Sequence, residues 1–186
     1  MKRTLLMLAL AATVAAATYE VDPVHSSVIF KIQHLGTSWT YGRFNDISGS
    51  IEMDAAKPEA SSVTFTVKVD SVDTGNAKRD QHLKSPDFFN AKQFPEITFK
   101  STAVKSLGKD AAEVTGDLSL HGVTKSVTAK VSKVGDGKHP KSGAEMVGFE
   151  ASFLIKRTDF GMTYAVGPTG GGDEVSLIVA LETHRK

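Results

Sequence analysis

Val63-Thr64-Phe65-Thr66-Val67-Lys68-Val69-Asp70 alternates apolar and polar side chains without a break. A period of two sends successive side chains to opposite faces of an extended strand, so one face is apolar and the other polar. The alternation recurs on both sides of this stretch. Val28, Phe30 and Ile32 alternate with Ile29, Lys31 and Gln33, and Tyr41 to Met53 adds a further strand. Downstream come Ile97 and Phe99, Leu118 and Leu120, then Val127, Ala129 and Val131. Phe149, Ala151, Phe153 and Ile155 form the next apolar row, and Val175, Leu177, Val179 and Leu181 the last. About eight strands of roughly eight to twelve residues result, and long strands remove their edges by closing on themselves. The connections read as short: Leu107-Gly108-Lys109-Asp110, His121-Gly122-Val123, the polar loop from Asp54 to Ser61 and a loop from Gly135 to Gly143. An up-and-down antiparallel barrel follows.

One segment breaks the pattern. Asn76-Ala77-Lys78-Arg79-Asp80-Gln81-His82-Leu83-Lys84 has good helix formers and no β-branched residue, so it predicts a short helix ended by Pro86. Phe88, Phe89 and Phe94 follow it, readable as a plug for one barrel end or as ligand contacts.

Composition bounds the rest. The chain has 186 residues, 22 Lys+Arg against 21 Asp+Glu and no cysteine, which excludes disulfide scaffolds and Cys-based metal sites or nucleophiles. A net charge of +1 gives no electrostatic reason for a nucleic-acid partner. One Trp and three Tyr are too few for the two aromatic girdles of an outer-membrane barrel, so the polar faces with Lys68, Lys100, Lys130 and Glu150 are expected to meet water. At the start, Lys2-Arg3, the apolar run Thr4 to Val14 and Ala15-Ala16-Ala17 form an export-signal pattern with cleavage after about Ala17. Residues 1–17 are thus set apart from a single domain over 18–186, whose 20 basic against 21 acidic side chains carry −1. A periplasmic location is expected.

Tyr19-Glu-Val-Asp22-Pro-Val-His25-Ser26-Ser-Val28-Ile-Phe30, with His34 and Gly42-Arg43-Phe44, resembles the opening of the YceI-like family of periplasmic lipid-binding proteins. Arg79-Asp80-Gln-His82-Leu83-Lys-Ser85-Pro-Asp87-Phe88-Phe89 and Phe94-Pro95-Glu-Ile97-Thr-Phe99-Lys-Ser101 resemble its central motif. Gly116-Asp-Leu118-Ser-Leu120-His121-Gly122-Val123-Thr124 and Arg157-Thr-Asp159-Phe160-Gly161-Met162 resemble two later ones, so the likeness spans residues 19–183. Two departures are Tyr19, where the family often opens with Trp, and the glycine-rich Gly167-Pro-Thr-Gly-Gly-Gly172.

The resemblance implies a mainly β fold, an eight-stranded antiparallel lipocalin-like barrel with a short helix between strands. It also implies a bound isoprenoid, isoprenoid quinone or fatty-acid-type amphiphile, with no other cofactor. The expected lumen residues are Val28, Phe30, Ile32, Val67, Phe99, Leu120, Phe153 and Leu177. Arg43, Arg79, Asp80, His82 and Arg157 are candidates for a head group or the entrance. A structural ion pair or cap tying the helix to the sheet is the preferred alternative for Arg79 and Asp80, a solvated or paired strand end for Arg157, and a strand kink for Gly42 beside Arg43. Transient membrane contact for loading is expected, and the charge pattern leaves a homodimer open.

Chemistry beyond binding has thin support. There is no GxSxG elbow, and Gly135-Asp-Gly-Lys138 is followed by His139 rather than Ser or Thr. Arg79, Asp80 and His82 are the clustered candidates for an enzyme on a lipid-like substrate, such as an isomerase or cyclase, but no catalytic residue is assigned. His25 and His34 on one strand would lie about 30 Å apart. With no HxxH or HExxH spacing, no metal ligand is assigned and a metal-binding stress protein is the weaker alternative.

Overall fold

The computed structural model describes residues 16–186. All of the export-signal pattern but its last two residues therefore lies outside the described residues. Eleven strand segments make one antiparallel sheet: β1 (Ala17–Val21), β2 (Ser27–His34), β3 (Ser38–Phe44), β4 (Ile47–Met53), β5 (Ser62–Lys68), β6 (Val72–Asp73), β7 (Glu96–Gly108), β8 (Ala111–Leu120), β9 (Val123–Lys138), β10 (Glu145–Lys156) and β11 (Gly171–Arg185). They reduce to eight staves. β1 and β2 both pair with β11, β1 pairs with β4 while β2 pairs with β3, and β4 and β3 pair in turn with β5 and β6. Each of these pairs of segments is one stave with a break, at residues 22–26, 45–46 and 69–71. The breaks lie at one level, where Asn45 N–H donates to the Ser71 carbonyl and Lys68 N–H to that of Asp46. From there the order runs β5-β7-β8-β9-β10-β11, and the β1–β11 pairing closes the ring. The chain forms the mainly β, closed eight-stranded antiparallel barrel that the period-two rows predict.

Several strands exceed the expected length, β7, β9 and β11 having 13, 16 and 15 residues. The expected Gly135–Gly143 loop is a correction. Gly135 to Lys138 are extended because Glu145 and Met146 pair with Lys138 and Gly137, and the turn is confined to residues 139–144. Glycines within the staves make room for rings rather than kinks. A Cβ at Gly42 would collide with the Phe30 ring, one at Gly49 with the Thr64 carbonyl and the Phe65 backbone, and one at Gly116 with the Phe99 ring. Each aromatic ring lies across a neighbouring stave that has no side chain there.

The helix α1 (Ala77–Leu83) matches its prediction, and the Asn76 side chain caps it by accepting Arg79 N–H at 3.1 Å. It belongs to the insertion between β6 and β7, which seals one end of the barrel. Leu83 and Phe89 pack on the cluster of Val28, Phe30, Phe44, Ile47, Val67 and Val72. Phe89 also reaches the cluster of Leu118, Leu120, Ile155, Phe160 and Met162. Phe88, Phe89 and Phe94 thus belong to a packed plug, with Phe89 edge-on to Phe44 at 5.6 Å and Phe94 edge-on to His121 at 5.0 Å. His121 and Gly122 form the two-residue β8–β9 turn, both with positive φ, and His121 Nδ1 lies 2.9 Å from the Phe160 carbonyl.

Candidate functional site

Beyond the plug the barrel is hollow. Val63, Phe65, Phe99, Phe149, Phe153, Leu177, Val179 and Leu181 point inward but are only partly buried, because their inner surfaces face a cavity of about 460 Å³. A packed interior would leave no such gap. The wall is apolar from Val28, Phe44 and Ile97 at the plug to Met53, Val104 and Leu181 near the far end, with Ser106 a polar exception inside. The rim is built by the β4–β5 loop, with Asp54, Ala55, Pro58 and Ser61, and by Lys109 and Asp110 of the β7–β8 turn.

The rim is held in shape. Asp54 accepts the N–H groups of Ala56 at 2.9 Å and Lys57 at 2.8 Å, while its own N–H donates to Ser61 at 3.0 Å. Lys133 completes the lining at this end; its ammonium donates to Asp136 at 2.7 Å, and its N–H to the Asp110 carbonyl at 2.8 Å. The Asp136 hydrogen bond and charge raise the Lys133 pKa above its ordinary value, so this ammonium stays charged. An apolar tube with a mixed-charge rim suits an amphiphile whose tail enters and whose polar end stays in water.

Of the eight expected lumen residues, Val28, Val67, Phe99, Phe153 and Leu177 line the cavity. Phe30 and Leu120 instead sit in the packed clusters at the sealed end, and Ile32 lies beside Gly171 there. The rim residues Asp54, Lys109, Asp110 and Lys133 carried no signal beyond that of polar turns. The upper wall, including Met53, Val104, Val131 and Leu181, continues the same alternation and was open to the period-two reading.

The five expected entrance residues need a correction, since none is among the residues lining the cavity and each is engaged elsewhere. Arg43 is exposed on the outer face of β3 and donates to Asn45 at 2.5 Å. Arg79 donates to the Thr74 hydroxyl and carbonyl, both at 2.7 Å, while Asp80 accepts the Thr74 N–H at 2.9 Å and its hydroxyl at 2.5 Å. Both serve to tie the helix down, anchoring it through Thr74 to the loop that precedes it. His82 lies 2.9 Å from Asp87 and edge-on to Phe88 and Tyr164.

Arg157 departs furthest from expectation. Only 3% exposed, its guanidinium donates to four backbone carbonyls: Gly172 at 2.8 Å, Met162 at 3.3 Å, Tyr164 at 2.7 Å and Gly171 at 3.2 Å. Burial pulls its pKa down and Asp173 pulls it back up. It clamps the β10–β11 connection rather than meeting solvent. Arg79, Asp80 and His82, the clustered candidates for chemistry, are thus engaged with Thr74 and Asp87 and stand outside the cavity.

The fold recurs in known proteins. BcnA of Burkholderia cenocepacia superposes with a TM-score of 0.77 at 28% identity, covering 87% of this chain and 98% of its own. A polyisoprenoid binding domain from Saccharophagus degradans, implicated in plant cell wall breakdown, has the same fold with a TM-score of 0.70 at 16% identity, over 92% of this chain and 99% of its own. A UPF0312 protein of Azotobacter vinelandii is 45% identical over 194 aligned positions, covering the whole of both chains. The YceI-like domain profile matches residues 19–183, from the first closing strand to the last. The chain belongs to the YceI-like family.

Proposed function

We propose that the protein takes up a single long-chain amphiphile of isoprenoid or acyl type, tail first through the rim, and carries or stores it in the periplasm without changing it. The observation behind this reading is the cavity of about 460 Å³ with an apolar wall and a rim bearing Asp54, Lys109, Asp110 and Lys133. Each methylene removed from water contributes about 0.8 kcal/mol, so a hollow apolar tube holds a tail that water rejects. The polyisoprenoid-binding neighbour, which shares the fold, and the export-signal pattern of residues 1–17 support it. Among the described residues, the charged groups of the cavity lining stand at the rim, which supports binding over catalysis.

Mass spectrometry of organic extracts from natively purified protein tests the reading. Stoichiometric lipid of one chemical class is expected, unchanged in mass after incubation. Phe153→Arg, which puts a charge on the wall, should abolish uptake in a folded variant. Repeated absence of lipid after incubation with membranes would remove the carrier reading, and a changed ligand mass would make the protein an enzyme.

A further inference from the structure

On the outer wall, where the stave of β1 and β2 is broken at residues 22–26, four side chains converge that have no part in the cavity. His25 Nδ1 lies 2.8 Å from Asp22 Oδ2, which is 3.8 Å from His184 Nε2. His184 Nε2 is 3.0 Å from Glu182 Oε1, which is 3.7 Å from His25 Nδ1. Two imidazole nitrogens and two carboxylate oxygens therefore form a closed ring of four with edges between 2.8 and 3.8 Å. Ligands held about 2.0–2.1 Å from a tetrahedral zinc ion stand roughly 3.3 Å from one another, so the four edges straddle the spacing that neighbouring ligands of such an ion need. Asp22, Glu182 and His184 have their ligand atoms all within 4.8 Å of one another, the one such group among the described residues, and His25 adjoins this core through its 2.8 and 3.7 Å edges to Asp22 and Glu182.

The backbone holds the set in place. Asp22 N–H donates to the Glu182 carbonyl at 2.9 Å, and Glu182 N–H donates to the Ser26 hydroxyl at 3.0 Å. The break in the stave thereby lets His25 turn back on Asp22, three residues before it. The His139 ring packs beside His184 at 5.7 Å. His34 ends β2 and makes none of the four edges of the ring.

We infer that Asp22, His25, Glu182 and His184 form a binding site for one divalent transition-metal ion of the zinc class. Nitrogen and carboxylate donors in this ratio suit such an ion, and its two charges offset those of the two carboxylates. The ion would join the 22–26 break to β11 next to the seam where β1 and β11 share only three residue pairs. Its role is to pin the barrel closed, and it stands independently of the lipid reading.

The test uses purified protein without a polyhistidine tag, stripped by a chelator and titrated with zinc chloride against a chromophoric competitor. One zinc per chain and a rise in Tm are expected. His25→Gln and His184→Gln, both on solvent-accessible side chains, should each weaken binding by tenfold or more, the order seen when metal sites lose supporting groups. His34→Gln and His82→Gln should leave it unchanged. No saturable site, or zinc binding that survives both His25→Gln and His184→Gln, would overturn the site; loss in only one of them would overturn the four-ligand assignment.

Discussion

Arg157 concentrates the energetics of the sealed end in one side chain. A buried cation without partners would be costly, but here four carbonyl dipoles replace its water. Gly171 and Gly172 supply two of these carbonyls, and the glycine run leaves room for the close approach: a Cβ on Gly171 would stand 3.3 Å from the guanidinium, and one on Gly170 would strike the Ala165 carbonyl. The glycine run that departs from the family pattern thus has a physical cause in this chain. Arg157→Met should lower stability by about 2–4 kcal/mol, since several buried acceptors lose their donor at once. Hydrogen exchange should rise in residues 162–172 and not in β4 or β5. Protection unchanged in that loop would mean that Arg157 acts by packing alone. This arrangement was not legible beforehand, because an arginine after an apolar strand looks like a solvated end until the loop that supplies its acceptors has folded over it.

Strands were easier to read than their interruptions. Val63 to Asp70 and its counterparts exposed the staves because burial of one face imposes period two whatever the neighbours are. The breaks at 22–26 and 45–46 leave no periodic trace, and Gly135-Asp-Gly-Lys138 looks like a loop until pairing with Glu145 and Met146 extends it. Glycines inside staves are similarly ambiguous, and it is the rings of Phe30 and Phe99 that give Gly42 and Gly116 their meaning. At Gly116 a Cβ would stand 2.5 Å from both the Lys100 carbonyl and the Phe99 ring. Backbone cannot yield as a flexible side chain can, so Gly116→Ala should cost about 1–3 kcal/mol in denaturant unfolding. Because Phe99 is also cavity wall, the same variant should weaken lipid binding. A variant as stable as the parent would show that β7 and β8 slide apart without strain.

Across the whole barrel, the two ends do opposite jobs, and the orientation is the part of the site the sequence hid most. Motifs around α1 and Arg157 drew attention to one end, and their residues build a plug; the rim lies at the other, among turns with no distinguishing pattern. The plug also shortens the lumen below the strand length of roughly 33 Å that ten extended residues span. A methylene takes close to the volume of a water, about 30 Å³, so 460 Å³ admits on the order of fifteen chain carbons. Longer tails must protrude through the rim or displace Phe44, Phe89 and their neighbours. Affinity for a homologous series of unbranched fatty acids, measured by displacement of a fluorescent analogue, should rise about fourfold per methylene while each enters the cavity, the equivalent of 0.8 kcal/mol. Near fifteen carbons the slope should flatten, because added methylenes stay in water. A slope that continues unchanged to about twenty carbons would show that the plug opens, and no dependence on chain length would show that the tail does not enter the barrel.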